Sequence, residues 1–141
     1  MPEIVVLTTV EPARLPDLLE LFATAWWMSD RTLDETTRIL TESDLVVALL
    51  ESDRLVGFAR VLTDYTQVAL VLDVVVATDR RGAGLGAALM DAVISHPDLA
   101  DVRSIELVCQ PELVPFYRRW GFTDEVSRSL LMRRTSDPRL A

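Results

Sequence analysis

The chain has 141 residues, of which 50% are hydrophobic, and a formal net charge of −8. This length indicates one domain with enough apolar residues for a substantial core. The acidic charge argues against nonspecific nucleic-acid binding, no apolar stretch approaches the roughly 20 residues of a membrane span, and a single cysteine excludes an internal disulfide framework.

Hydrophobic periodicity predicts an alternation of strands and helices along the chain. Apolar runs predict strands at 3–9, 45–50, 55–62, 68–77 and 104–109, and a terminal strand or hairpin at 127–133. Apolar residues at helical spacing predict helices at 12–25, 32–40, 85–96 and 111–119. Thr32 and Glu35 have the spacing of a capping box at the start of the second helix.

The order of these elements predicts a mixed sheet. The three strands between 45 and 77 are joined by short turns, which indicates an antiparallel meander. The later strand–helix–strand unit indicates one parallel crossover, which is right-handed in nearly all proteins. We therefore expect a mixed α/β fold with helices on both faces of the sheet, over a domain 1–134 followed by a polar tail, 135–141.

A glycine-rich segment, residues 81–86 (RGAGLG), lies between the predicted strand 68–77 and the helix that follows it. Glycines let the backbone turn tightly and approach a ligand, and the first amides of a helix point outward without internal partners. This arrangement favours a phosphate group. A P-loop would need a lysine, and the chain has none. A dinucleotide fingerprint is disfavoured because Gly86 comes one position early, and a tight turn without a ligand stays open.

A second segment indicates which phosphate-containing compound the turn would bind. Residues 81–86 resemble the R/Q-x-x-G-x-G/A motif of the GCN5-related N-acetyltransferases (GNAT), and residues 115–122 (PFYRRWGF) resemble that family's P-F-Y-x-x-x-G-F signature. With the element order, the resemblance covers residues 3–134. It implies acetyl-CoA as the acetyl donor. One histidine and one cysteine do not make a zinc site, so no metal is expected.

The resemblance also implies which residues hold the coenzyme. Backbone amides of the glycine turn would wrap its pyrophosphate, and the end of the preceding strand would pair with its pantetheine amides. Where the family often has Asn after the second parallel strand, this chain has Gln110, which puts that contact in doubt. The expected coenzyme-binding residues are Val74, Val75, Val76, Arg80, Arg81, Gly82, Ala83, Gly84, Leu85, Gly86, Ala87, Gln110 and Tyr117.

Three residues are the expected catalytic groups. By the resemblance, the Val74 N–H polarises the thioester carbonyl and Tyr117 protonates the leaving thiolate. Asp73 is unusual inside an apolar strand, where a carboxylate is costly unless hydrogen-bonded. It is either the general base or a structural carboxylate bound by a turn or an arginine. Glu106 and a water chain are the alternative routes for the proton.

The acceptor site is expected near Trp26 and Trp27, because the loop between the first two helices borders the acceptor cleft in the family. Residues 1–73 carry 13 acidic residues and 5 arginines, whereas residues 74–141 carry nine of each. This asymmetry favours a cationic acceptor, either a small amine or an amino group of a peptide or protein. Cys109 is expected to be a structural thiol rather than a nucleophile.

These observations predict an N-acetyltransferase that transfers acetyl from acetyl-CoA to a primary amine by direct attack in a ternary complex. The alternative is a noncatalytic acyl-CoA-binding or regulatory module on the same fold. The N-terminal sequence MPEI lacks the pattern of a signal peptide, and the cysteine count fits a reducing compartment, so a cytoplasmic location is expected. By analogy with the fold, we expect a homodimer without nucleic-acid or membrane partners.

Overall fold

In the computed structural model, which describes residues 3–140, five strands form one mixed sheet in the order β1-β2-β3-β4-β5. Their bounds are β1 (Ile4–Leu7), β2 (Leu45–Glu51), β3 (Arg54–Thr63), β4 (Val68–Val76) and β5 (Ser104–Leu107). The first four strands pair antiparallel, and β5 pairs parallel to β4. The predicted mixed sheet with one parallel pair is confirmed. Met1, Pro2 and Ala141, from the predicted N-terminus and tail, lie outside the described residues.

Within residues 3–140, four α-helices accompany the sheet; three are shorter than the periodicity predicted, and the second ends two residues later than predicted. They are α1 (Leu15–Phe22), α2 (Leu33–Glu42), α3 (Leu85–Ile94) and α4 (Val114–Arg118). Short 3₁₀ turns take up much of the difference, at Pro12–Arg14 before α1 and Pro111–Leu113 before α4. Each of these turns begins with proline, whose fixed φ suits the first position of a helical turn.

The helices α1 and α3 lie on opposite faces of the sheet. The rings of Phe22 in α1 and Phe58 in β3 meet edge to face, with centroids 5.4 Å apart. A Cβ added to the neighbouring Gly57 would lie 3.2 Å from a methyl group of Leu89 in α3. Because successive residues of a strand point to opposite faces, Phe58 faces α1 and Gly57 faces α3.

The structure divides into two compact units. The first runs to Val108 and holds the whole sheet with α1, α2 and α3, and the second runs from Cys109 and holds α4. The largest fully buried apolar side chains of the first unit are Phe22, Phe58, Leu18, Met28, Leu49, Leu89, Met90, Val56, Val61 and Val93. Within residues 3–140, no helix has the length and apolarity that a membrane span requires.

The predicted terminal strand at 127–133 is wrong. This segment contains no strand, and Leu130, Leu131 and Met132 are 87%, 67% and 91% exposed. Ser127 has a φ of +62°, which interrupts an extended backbone. β-propensity describes how well a side chain fits a paired, half-buried surface, so an apolar run without a pairing partner does not form a strand.

The N-terminus of α2 carries the predicted capping box. The Thr32 hydroxyl accepts from the Glu35 N–H at 3.1 Å, and the Glu35 carboxylate accepts from the Thr32 N–H at 2.9 Å. We expect Thr32→Ala to lower the free energy of unfolding by about 1 kcal/mol, because one amide of the first turn loses its acceptor. Urea unfolding measures this.

Thr37→Ala is the matched control on the same helix. The Thr37 hydroxyl donates to the Leu33 carbonyl inside the helix rather than capping an end. We expect a change within about 0.5 kcal/mol, since alanine is the better helix former. A loss as large as that of Thr32→Ala would contradict the assignment of the stability to the cap.

Candidate active site

The glycine turn has a backbone conformation that residues with a Cβ atom rarely adopt. Gly82 and Gly84 have φ values of +80° and +82°, and α3 begins directly afterwards at Leu85. The Ala88 N–H donates to the Gly84 carbonyl at 3.1 Å, which is the first bond of the helix. The amides of residues 85–87 therefore precede the internal ladder and point along the helix axis toward the turn.

The outer surface of the turn is accessible and has features that attract an anion. A Cβ built on Gly82 or Gly84 meets no described heavy atom within 4 Å, so the outer surface of the turn is open. Arg81 is exposed, and its Nε makes a long contact of 3.4 Å with the Val76 carbonyl. Arg80 instead pairs with Glu51 at 2.6 Å, so its charge is already compensated. Backbone donors, helix dipole and the Arg81 cation together favour an anion here.

A β-bulge interrupts β4 just before the turn. Arg60 of β3 is opposite Leu72, and Phe58 is opposite Val75, so Ala59 faces two residues of β4, Asp73 and Val74. Asp73 has a φ of +56°. A left-handed residue at an inserted position is a recognised way to make a bulge.

The bulge reverses the direction in which the β4 amides point. Toward the start of β4, the Val68 carbonyl accepts from the Asp64 N–H, so the backbone N–H and C=O groups of even-numbered residues point toward β3. Toward the end of β4, the Ala77 N–H donates to the Val56 carbonyl, so the backbone groups of odd-numbered residues point toward β3. Without the bulge the Val74 N–H would point at β3; with it, the Val74 N–H points to the opposite edge.

That opposite edge is open at Val74. The β4–β5 pairing runs from Val68 opposite Ser104 to Val71 opposite Leu107 and goes no further among the strands of residues 3–140. The Val74 and Val76 backbone groups therefore lie on an edge without a neighbouring strand. Such an edge offers hydrogen bonds to the amides of an extended ligand.

Asp73 is held by two arginines. Arg31 binds it in a bidentate pair, with Nη1–Oδ2 at 2.8 Å and Nη2–Oδ1 at 3.1 Å, and Arg60 Nε lies 2.6 Å from Oδ2. The side chains are 5%, 17% and 14% exposed for Asp73, Arg31 and Arg60. Both carboxylate oxygens are occupied, which favours the structural role over the predicted general base. Glu106 is exposed and accepts from the Ser104 hydroxyl.

Tyr117 lies in the second unit, within α4. Its side chain is 7% exposed and packs edge to face on Phe116 and Phe122, at centroid distances of 4.9 and 6.1 Å. Burial, with the nearby Cys109 as a smaller cause, raises the pKa of the Tyr117 phenol to about 12. The phenol is therefore neutral and able to donate a proton over the whole physiological pH range.

Two other residues singled out in the sequence, Gln110 and Cys109, also lie in the second unit. Gln110 precedes the 3₁₀ turn Pro111–Leu113 as its N-cap residue. Cys109 is half-buried, and burial, with Asp124 and Glu112 as smaller causes, raises the pKa of its thiol. A thiol with a raised pKa is a weak nucleophile at neutral pH, which agrees with the structural role predicted for it.

Trp26 and Trp27 lie in the turn that follows α1. Their rings meet edge to face at 5.6 Å, and Trp26 is 50% exposed. Arg31 follows in the same connection and stacks 4.7 Å from the ring centroid of Phe22. Sequence reasoning missed Arg31 and Arg60; the only signal was the isolated acidic residue in the apolar strand, which required a cationic partner.

The chain is a mixed α/β protein with a glycine turn at a strand–helix junction whose backbone amides are suited to an anion. The chain belongs to the GNAT family of acetyltransferases, since the model of the "Acetyltransferase (GNAT) domain" matches residues 22–130. The resemblance noted in the sequence is thus confirmed.

Individual relatives support the same family. The "Uncharacterized N-acetyltransferase ycf52" of Porphyra purpurea is 33% identical over 122 residues, covering 84% of this chain and 70% of the relative. The "Serotonin N-acetyltransferase 2, chloroplastic" of Oryza sativa subsp. japonica is 37% identical over 97 residues, covering 65% of this chain and 48% of the relative. The matches thus leave a substantial part of each relative's length outside.

A solved structure from Xanthomonas campestris pv. campestris, assigned to the GNAT family, superposes on this chain. Its TM-score is 0.81 at 35% identity, and the match covers 96% of this chain and 94% of that one. The fold expected from the sequence is therefore the fold of a family member of nearly equal length.

Proposed function

We propose that this protein transfers an acetyl group from acetyl-CoA to a primary amine by direct attack in a ternary complex. The observation that carries the proposal is the Val74 N–H on the open edge of β4, immediately before the glycine turn. The family of the chain supports acetyl transfer in general. We also propose that residues 1–134 form the domain that carries this activity and that residues 135–141 form a tail. The protein is proposed to act as a homodimer in the cytoplasm.

Residues at the end of β4 and in the glycine turn would hold the coenzyme. Backbone groups of Val74 and Val76 hydrogen-bond the amides of the pantetheine arm, and the amides of residues 81–87 bind the pyrophosphate. The thioester supplies an activated acetyl group. The Val74 N–H, aimed at the carbonyl oxygen, stabilises the negative charge that develops during attack, and one such donor contributes about 3 kcal/mol.

Proton movements are assigned to different groups. The Tyr117 phenol is protonated at neutral pH and donates to the leaving sulfur; its raised pKa extends the protonated form to higher pH. The acceptor amine loses its proton to water or to Glu106, since both oxygens of Asp73 bind arginines. Asp73 thus organises the strand rather than accepting the proton.

The acceptor is proposed to be a small amine with an apolar part, or an exposed amino group of a peptide. The half-exposed Trp26 offers a flat apolar surface, and aromatic rings also attract cations. One relative is named for serotonin, and the "Histone acetyltransferase TAP1" of Glycine max is named for histone. Both names are consistent with an amino acceptor.

Thiol release from acetyl-CoA, followed with a panel of amines, tests this function. We expect turnover with at least one arylalkylamine, diamine or amino-terminal peptide. Tight acetyl-CoA binding with no turnover across the panel would support the noncatalytic module instead. Thermal stabilisation by NAD but not by acetyl-CoA would contradict the assignment of the glycine turn to coenzyme A.

A further inference from the structure

We propose that Arg31 and Arg60 are positioning residues that hold the β4 bulge through Asp73 and thereby aim the Val74 N–H at the open edge. This inference rests on the proposed function for its catalytic consequence. Its structural part, that two arginines maintain the bulge, concerns the backbone alone.

The bulge places Asp73 in a conformation that needs support. A φ of +56° is sparsely populated for a residue with a side chain, although aspartate tolerates it better than most. Residues persist in this region where the surrounding structure holds them, and they cluster at functional sites. Asp73 is buried and directly precedes Val74, so any rotation at Asp73 changes the direction of the Val74 amide.

The support comes from two separate parts of the fold. Arg31 reaches Asp73 from the connection before α2, and its guanidinium also stacks on Phe22 of α1. Arg60 reaches it from β3, the strand that the bulge opposes. A planar guanidinium bound at two oxygens fixes the orientation of a carboxylate as well as its position. Together the three bonds, between 2.6 and 3.1 Å, leave the carboxylate little freedom to rotate.

The charges of this cluster make the arginines the better residues to vary. Two guanidinium groups face one carboxylate, so removing either arginine leaves one matched pair. Removing Asp73 would leave two cations together in a mostly buried place, which is strongly destabilising. The variants Arg31→Met and Arg60→Met therefore test the clamp, and Arg31→Lys keeps the charge without the bidentate geometry.

Three quantities are measured on each variant: kcat with the best amine of the panel, the Kd of CoA, and the ¹H–¹⁵N resonance of the Val74 amide in the free protein. We expect kcat to fall about 10- to 100-fold, the scale of a small misplacement of a catalytic group. The Kd of CoA should rise less than about tenfold, because the glycine turn is untouched and only the Val74 contact with the pantetheine arm is displaced. The Val74 resonance should shift. Arg31→Lys should give an intermediate fall in kcat.

Arg14→Met is the control, since Arg14 also pairs with an aspartate, Asp53, at the hairpin before β3. We expect its kcat and its Val74 resonance to match those of the wild type. An unchanged kcat in both Arg31→Met and Arg60→Met, or a reduced kcat with an unmoved Val74 resonance, would overturn the proposal. If the wild type shows no turnover, a shifted Val74 resonance in the arginine variants still supports the clamp.

Discussion

Replacing Tyr117 by phenylalanine is expected to lower kcat by about 100-fold or more, the usual contribution of a general acid. The substitution removes the hydroxyl and keeps the ring, so the edge-to-face contacts with Phe116 and Phe122 are retained. The Kd of CoA and the Tm should therefore stay close to the wild-type values. Steady-state kinetics with the best amine, together with calorimetric titration of CoA, measures the difference.

The pH dependence adds a second test of Tyr117. Burial raises the pKa of its phenol to about 12, so the proton-donating form persists well above the ordinary tyrosine value of 10. We expect no fall in kcat between pH 7 and 10 from loss of this proton. Tyr65→Phe is the control, because Tyr65 is 43% exposed in a turn of the first unit. A Tyr117→Phe enzyme with the wild-type kcat would remove the acid assignment.

The double substitution Gly82→Ala/Gly84→Ala should weaken CoA binding by about 10- to 1000-fold. Each alanine disfavours the positive φ of its position, so the turn relaxes and its amides turn away from the pyrophosphate. A hydrogen bond to a charged group contributes about 1.5–3 kcal/mol, so the loss of one donor weakens binding about 10- to 150-fold, and the partial loss of a second extends the range to about 1000-fold. Calorimetric titration of CoA measures the Kd.

Gly121→Ala is a closely matched control. Gly121 has a φ of +85°, and a Cβ built on it also meets no described heavy atom within 4 Å. The backbone strain of each substitution is therefore similar, while the position lies outside the glycine turn. We expect a fall in Tm about half that of the double variant, with little change in the Kd of CoA. Equal weakening by both changes would show that general strain, and not the turn's amides, accounts for the effect.

The capping box, the order of the elements and the glycine turn could be predicted because each depends on residues close together in the sequence. The capping box depends on Thr32 and Glu35, three residues apart, and the strand and helix order depends on the spacing of apolar residues. The glycine turn was predictable because glycine adopts a positive φ without the steric cost that other residues have there, and Gly82 and Gly84 both have a positive φ. The family resemblance added Tyr117 and Val74, whose proposed roles could not be read from periodicity.

Features that depend on strand register or on residues distant in the sequence are visible only in the folded structure. From the sequence, Asp73 could be a base or a structural carboxylate. The folded structure places Arg31 and Arg60, separated from it by 42 and 13 residues, on its oxygens. The segment 127–133 resembled a strand in sequence but forms none. The local elements and the glycine turn can be predicted from the sequence alone, because backbone preferences and periodicity act between near neighbours. Only the pairing of β3 with β4 created the bulge that turns the Val74 amide outward, because register is a property of two strands and not of one.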